Sequence, residues 1–154
     1  MGLDMYLSAR FYLSEYSTKK EAYVKMSKLT LPGVTIPKPY LKNFGSMQLE
    51  VPIAYWRKAH HIHDWFVREV QDGVDNCESF YVDVDKLREL DKLCANVVMA
   101  NSPAFSAANL PADYGYDSWY MEDCRVTMDA LHRLLADIDA DKLAGWDFYY
   151  HASW

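Results

Sequence analysis

The chain is predicted to fold as α+β, with an antiparallel or mixed sheet that includes the N- and C-terminal strands and about three to four helices packed on it. Three observations predict this. "GLDMYLSARFYL" alternates strictly, with Leu3, Met5, Leu7, Ala9, Phe11 and Leu13 on one side and Asp4, Tyr6, Ser8, Arg10 and Tyr12 on the other. "WDFYYHASW" repeats the pattern at the far end, where Trp146, Phe148, Tyr150, Ala152 and Trp154 oppose Asp147, Tyr149, His151 and Ser153. Period two is the signature of a strand buried on one face. Between these ends the apolar residues mostly recur every three or four positions, which is helical spacing.

The elements follow in order. "STKKEAYVKMSKL" opens on a Ser/Thr cap signal with an acidic residue soon after, and predicts a short helix. "TLPGVTIPKPYLKNFGS" holds three Pro and two Gly and reads as a loop. "MQLEVPIA" alternates and reads as a strand, which Pro52 places near a sheet edge or a strand end. A helix is then predicted from about 53 to 72, striped by Tyr55, Ala59, Ile62, Phe66 and Val70 and stopped by Asp72-Gly73. "CESFYV" is a short strand. "DVDKLRELDKLCANVVMA" is a helix capped by Asp83 and striped by Leu87, Leu90, Cys94 and Val97. "NSPAFSAANLPADYGY" is predicted as a second long loop. "DSWYMEDCRVTMDALHRLLADI" is a third strong helix, striped by Tyr120, Cys124, Thr127, Leu131, Leu134 and Ile138.

With 154 residues, one domain (1–154) is expected, large enough to bury a core without staples. No apolar run approaches the roughly 20 residues of a membrane span, and "MGLDMYLSAR" has no basic region followed by an apolar stretch. Cys77, Cys94 and Cys124 are odd in number, widely spaced and without a CxxC pair, which reads as free thiols in a reducing compartment, the cytoplasm. Aromatic residues make up 15% of the chain, enough to serve both a core and flat anchors at an interface. Charge is split. Residues 1–70 carry ten Lys/Arg against six Asp/Glu, residues 71–112 three against seven, and residues 113–154 three against nine. Such a dipolar surface steers a charged partner or is merely solvated.

The densest chemistry lies in "AYWRKAHHIHDWFV", residues 54–67. On the predicted helix, Trp56, His60, His63 and Val67 flank the apolar stripe, while Arg57, Lys58, His61, Asp64 and Arg68 face outward. A metal site would use His60 with His63 or Asp64, but no HExxH or CxxC completes it, and none is expected. A hydrolytic set would need His63 as base with Cys77 or Ser79 as nucleophile, and no GxSxG elbow accompanies it. Neither GxxxxGK[ST] nor GxGxxG is present, so no nucleotide cofactor bound through those devices is expected. A plain alternative keeps His63 as a helix histidine satisfied by Tyr or backbone groups. Binding suits the composition better, since Trp, Arg and Tyr most often dominate interface energy. The binding candidates are Trp56, Arg57, Lys58, His63, Trp65, Cys77, Trp119 and Tyr120. Arg57 beside Trp56 and Trp65 also suits gripping a phosphate or stacking on a base. An acidic face of Asp123, Asp129, Asp137, Asp139 and Asp141 could compete for a basic, nucleic-acid-binding groove on another protein.

The blocks "MGLDMYL", "AYWRKAHHIHDWFV", "GVDNCESFYV", "YDSWYMED" and "FYYHASW" resemble a family of small bacteriophage and prophage proteins, end to end. The likeness covers Trp56, Arg57, Lys58, His63 and Trp65, then Gly73, Val74, Asp75 and Cys77, then Tyr116, Asp117, Trp119 and Tyr120. A Gly- and Phe-rich stretch often precedes the family's YDxWY segment, and this chain has "LPADYG" there. The resemblance implies an accessory protein made in a bacterial host cell, and implies no reaction. The expectation is therefore a binder that inhibits a bacterial defence system, its target a host or defence-system protein or a nucleotide signal. The alternative is a small enzyme or ligand-binding protein that handles a nucleotide or phosphate through His63 and Arg57.

Overall fold

Alternation makes the first and last strands what they were expected to be. The computed structural model describes residues 2–14 and 46–154. Its elements are β1 (Asp4–Ser14), β2 (Ser46–Arg57), α1 (His60–Glu69), β3 (Ser79–Val82), α2 (Val84–Ala100), α3 (Pro103–Asn109), α4 (Ser118–Asp139) and β4 (Trp146–Ser153). The helix expected over residues 17–29 and the loop after it, up to residue 45, lie outside the described residues. The chain divides into two compact units, Met1–Ala9 with Val51–Trp154 and Arg10–Glu50. In the second, the guanidinium of Arg10 meets the carboxylate of Glu50 at 3.2 Å.

The strands form an antiparallel sheet in the order β2-β1-β4-β3. The α+β class with terminal strands in one sheet is thus as expected. β3 pairs with β4 in the register Ser79↔His151, Phe80↔Tyr150, Tyr81↔Tyr149 and Val82↔Phe148. Pro52 sits on β2, an edge strand, where its missing N–H costs no central ladder bond. In the larger unit, Leu3, Met5, Leu7 and Ala9 from the first strand meet Phe148, Tyr150 and Ala152 from the last in the core. Helices α2 and α4 pack together and present Leu87, Leu90, Cys94 and Val97 and then Tyr120, Cys124, Thr127, Leu131 and Leu134 as buried stripes. Both stripes were read from spacing. Ile138 is only partly buried.

Three readings are corrected. The helix expected from about 53 to 72 begins at His60, and Tyr55, Trp56 and Arg57 belong to β2. Ala54 and Trp56 are buried while Tyr55 and Arg57 are exposed, so period two persists up to the turn and pairing with β1 prevails over the helical pattern. The turn is made at Lys58, whose φ of 61° is left-handed and whose N–H donates to the Leu3 carbonyl at 2.8 Å. The second correction concerns the outward face of that helix. His61 is buried, like Ile62, His63, Trp65 and Phe66, because α4 covers its side of α1 with Tyr120 and Cys124. Phe66 stacks on Tyr150 of β4 at 3.9 Å and 7° on one side of α1, and the His61 ring lies 4.3 Å from that of Tyr120 in α4 on another. The third is the loop expected over residues 101–116, which contains α3. Ser102 caps that helix by accepting from the Phe105 N–H, and Pro103 opens it.

Candidate functional site

Lys58 is where the site begins. The left-handed turn at Lys58 ends β2, leaves Lys58 exposed and lets α1 begin at His60 behind the N-cap Ala59. The preceding Arg57 is exposed, and its guanidinium stands over Gly2. A methyl group on the Gly2 Cα would meet Arg57 Nη2 at 3.8 Å and Lys58 Cε at 3.9 Å. Opposite lies the segment between α3 and α4. Leu110 is buried and accepts from the Tyr120 hydroxyl through its carbonyl at 2.8 Å, which pins the start of that segment to α4. Asp117 accepts from the Trp119 and Tyr120 N–H groups, both at 3.0 Å, and so caps α4. Gly115, with φ of 92°, turns the chain between these two anchors.

A two-lobed cleft opens between these parts. Its wider lobe, of about 440 Å³, is lined by Gly2, Leu3, Lys58, His60 and Tyr114. Its narrower lobe, of about 120 Å³, shares Lys58, His60 and Tyr114 and reaches His61, Asp117, Trp119, Tyr120 and Asp123. The His60 ring packs 4.9 Å from that of Tyr114. Tyr114 and Trp119 are 77% and 76% exposed, the two highest fractions of any aromatic residue among the described residues. At the inner end, burial pushes the Asp123 carboxyl above the usual carboxylate range, against the attraction of His61. Burial likewise raises the Tyr120 phenol, so it serves as a neutral hydrogen-bond donor. The cleft can therefore offer cations and aromatic faces at its mouth and a half-buried acid at its inner end.

The expected site residues separate into groups. Lys58, Trp119, Tyr120 and Asp123 line the cleft, and Arg57 stands beside it over Gly2. Trp56 and Trp65 are core residues. Trp56 donates from Nε1 to Thr127 Oγ1 at 2.8 Å, which ties β2 to α4, and Trp65 packs edge-on against Phe66. His63 is buried elsewhere, with Nδ1 2.7 Å from the Tyr150 hydroxyl and Nε2 3.0 Å from Asp75 Oδ1. Burial raises the Tyr150 phenol, so its O–H donates to Nδ1 while Nε2–H donates to Asp75. Cys77 is exposed before β3. Within the acidic set, Asp137 pairs with Lys142 and Asp139 with Arg88, whose guanidinium holds the Asp139 carboxyl below its ordinary range. Asp129 and Asp141 are exposed.

His60, Tyr114, Gly115 and Asp117 complete the cleft without having been singled out as binding residues. The cap signal at Ser102-Pro103 was the sequence clue that the 101–116 segment is built rather than slack. Nothing in local spacing points to Gly2. Among the described residues no group of three His, Cys, Asp or Glu is placed to hold a metal ion, and no helix is long and apolar enough to cross a membrane. No protein-family model, curated protein or solved structure matches this chain.

Proposed function

We propose that the protein acts by binding, with the cleft mouth as its recognition surface and a bacterial defence component as its target. One observation carries the binding part. Tyr114 and Trp119, each about three-quarters exposed, flank a cleft that also presents Lys58 and His60. Large aromatics of this exposure beside a cation are the residue types that anchor interfaces once a partner desolvates them. Arg57 adds a second cation near the same mouth. The partner surface that fits is anionic and flat enough to stack, such as an acidic loop of a protein. The defence setting comes from the phage-like blocks of the sequence. The enzymatic alternative asks His63 to move a proton, whereas both His63 nitrogens are engaged with Tyr150 and Asp75 in a buried position.

The test is affinity capture from phage-infected host lysate followed by a titration with the purified partner. Wild type is compared with Arg57→Ala/Lys58→Ala, Trp119→Ala and Asp137→Lys, each checked for an unchanged melting temperature. One defence component should be retained by wild type and by Asp137→Lys. Loss of Trp119 should weaken it by about 2 kcal/mol, roughly thirtyfold. Equal retention by all four proteins would overturn the cleft as the recognition surface. Recovery of a nucleotide in place of any protein, lost in the double variant, would replace the protein target by a small anionic one.

A further inference from the structure

The narrower lobe of the cleft has the size and chemistry of a pocket for one side chain. Its volume of about 120 Å³ is close to what a single six-membered ring fills, since a protein cavity of about 150 Å³ takes up benzene. Tyr114 and Trp119 line it with most of their ring surface still open to solvent. Asp123 lines the same lobe half-buried. Among the described residues its carboxyl feels the attraction of His61 but accepts no hydrogen bond. The nearby Tyr120 hydroxyl is already spent on the Leu110 carbonyl. A partly desolvated carboxylate without a donor is unfavourable, and a donor brought by a ligand relieves it. Lys58 borders both lobes, so a cation stands where the narrow lobe meets the wide one. We propose that the narrower lobe receives a tyrosine side chain from an acidic loop of the partner, its hydroxyl donating to Asp123 and a neighbouring carboxylate of the loop meeting Lys58. This rests on the cleft being the recognition surface and names what enters it.

The other side chains fit the lobe less well. Phenylalanine has the same ring, but it would cover the Asp123 carboxylate and give it no donor. A guanidinium would stack on Tyr114 and Trp119, yet Lys58, His60 and His61 line the same lobe and oppose a second cation. A carboxylate or a phosphorylated tyrosine would be driven off by Asp117 and Asp123. Indole exceeds one six-membered ring, and its N–H lies on its flank rather than at its tip. Tyrosine alone places a donor at the far end of a ring, so the hydroxyl reaches inward while the backbone stays at the mouth beside Lys58. A phenol donating to a carboxylate is a charge-assisted bond, stronger than one between neutral groups. The ring also brings a large contact area with only two rotatable bonds to fix. Arg57, over Gly2 on the wider lobe, is placed for a second carboxylate of the same loop.

The experiment is calorimetric titration of the full chain with a capped peptide, Glu-Asp-Tyr-Asp-Gly, and with its phenylalanine and phosphotyrosine forms. Wild type is compared with Asp123→Ala, Asp123→Asn, Lys58→Ala and Trp119→Ala, each checked for an unchanged or higher melting temperature. The tyrosine peptide should bind wild type saturably, and the phenylalanine form about tenfold more weakly. Against Asp123→Ala the two peptides should differ less than about twofold, because the hydroxyl then has no carboxylate to meet. Asp123→Asn keeps an uncharged acceptor, so the difference should fall to about threefold. The phosphotyrosine form should not bind, and Lys58→Ala should weaken the tyrosine and phenylalanine peptides by the same factor. Equal binding of the tyrosine and phenylalanine peptides to wild type, with loss in Lys58→Ala and Trp119→Ala, would overturn the tyrosine pocket and leave the cleft as the recognition surface. A tenfold preference for tyrosine that survives in Asp123→Ala would overturn the role of Asp123, as would tighter binding of the phosphotyrosine form. No saturable binding of the tyrosine peptide at millimolar concentration also overturns the pocket. Binding untouched by Lys58→Ala and Trp119→Ala alike would instead overturn the cleft itself.

Discussion

His63 and Asp123 show how burial turns an ionisable side chain to one purpose. His63 closes a chain from the Tyr150 hydroxyl to the Asp75 carboxylate, and each of its nitrogens has one partner. His63→Ala is expected to lower unfolding free energy by about 1–3 kcal/mol beyond the lost packing, because the Tyr150 hydroxyl is left buried without a partner. Adding Tyr150→Phe should recover part of that loss in urea titrations, which separates the hydrogen bond from the cavity. Asp123 is the opposite case. Its folded carboxyl titrates above its unfolded value, chiefly through desolvation. Its contribution to stability is therefore fully present below the unfolded value and is lost as pH rises through the folded one. Asp123→Asn is accordingly expected to raise the denaturation midpoint at neutral pH and to match wild type below about pH 4, near the unfolded carboxylate value. A variant less stable than wild type at neutral pH would show that attraction to His61 outweighs burial.

At the scale of elements, α1 is clamped rather than laid on a surface. Phe66 meets the sheet through Tyr150, and His61 meets α4 through Tyr120 and Cys124. The strand before it is tied to α4 as well, by the bond from Trp56 Nε1 to Thr127 Oγ1, whose hydroxyl in turn donates to the Asp123 carbonyl at 2.7 Å. Trp56→Phe keeps most of the apolar contact and is expected to cost about 1 kcal/mol. Thr127→Val leaves a buried indole N–H without an acceptor and should cost about 1–3 kcal/mol. The double variant should be less damaged than the two losses added together, by about 0.5 kcal/mol or more. Strict additivity in the same denaturation series would mean that the bond does not couple the strand to α4.

At the scale of the molecule, chain order and spatial order differ. The last strand, β4, lies between β1 and β3, so the C-terminal residues are central in the sheet. Truncation after Gly145 would remove Phe148, Tyr150 and Ala152 from the core and leave β1 and β3 without the strand between them. The truncated chain is expected to lose cooperative thermal unfolding, read by circular dichroism. Removing Trp154 alone, a residue 42% exposed that touches the edge of the His63 cluster at 5.7 Å, should leave a cooperative transition. A folded 1–145 chain would show that β4 is dispensable.

Local pattern was enough for β1, β4, α2 and α4, because each buries one face and the period of that face is written in neighbouring residues. The cap Asp83 marks where α2 begins for the same reason, since its partner lies two residues away. The aromatic and basic character of residues 54–67 was legible too, and with it Lys58, Trp119 and Tyr120 as candidates. Their arrangement was not. The start of α1 depends on a left-handed Lys58 and on pairing of β2 with a strand some fifty residues earlier, and neither leaves a local signature. Whether a histidine faces solvent or a thiol depends on α4, some sixty positions away in sequence from His61. Spacing along one element determines which face it buries. Which side chains from other elements meet that face, and so the cleft, the His63 chain and the contact of His61 with Cys124, is decided only when the elements pack.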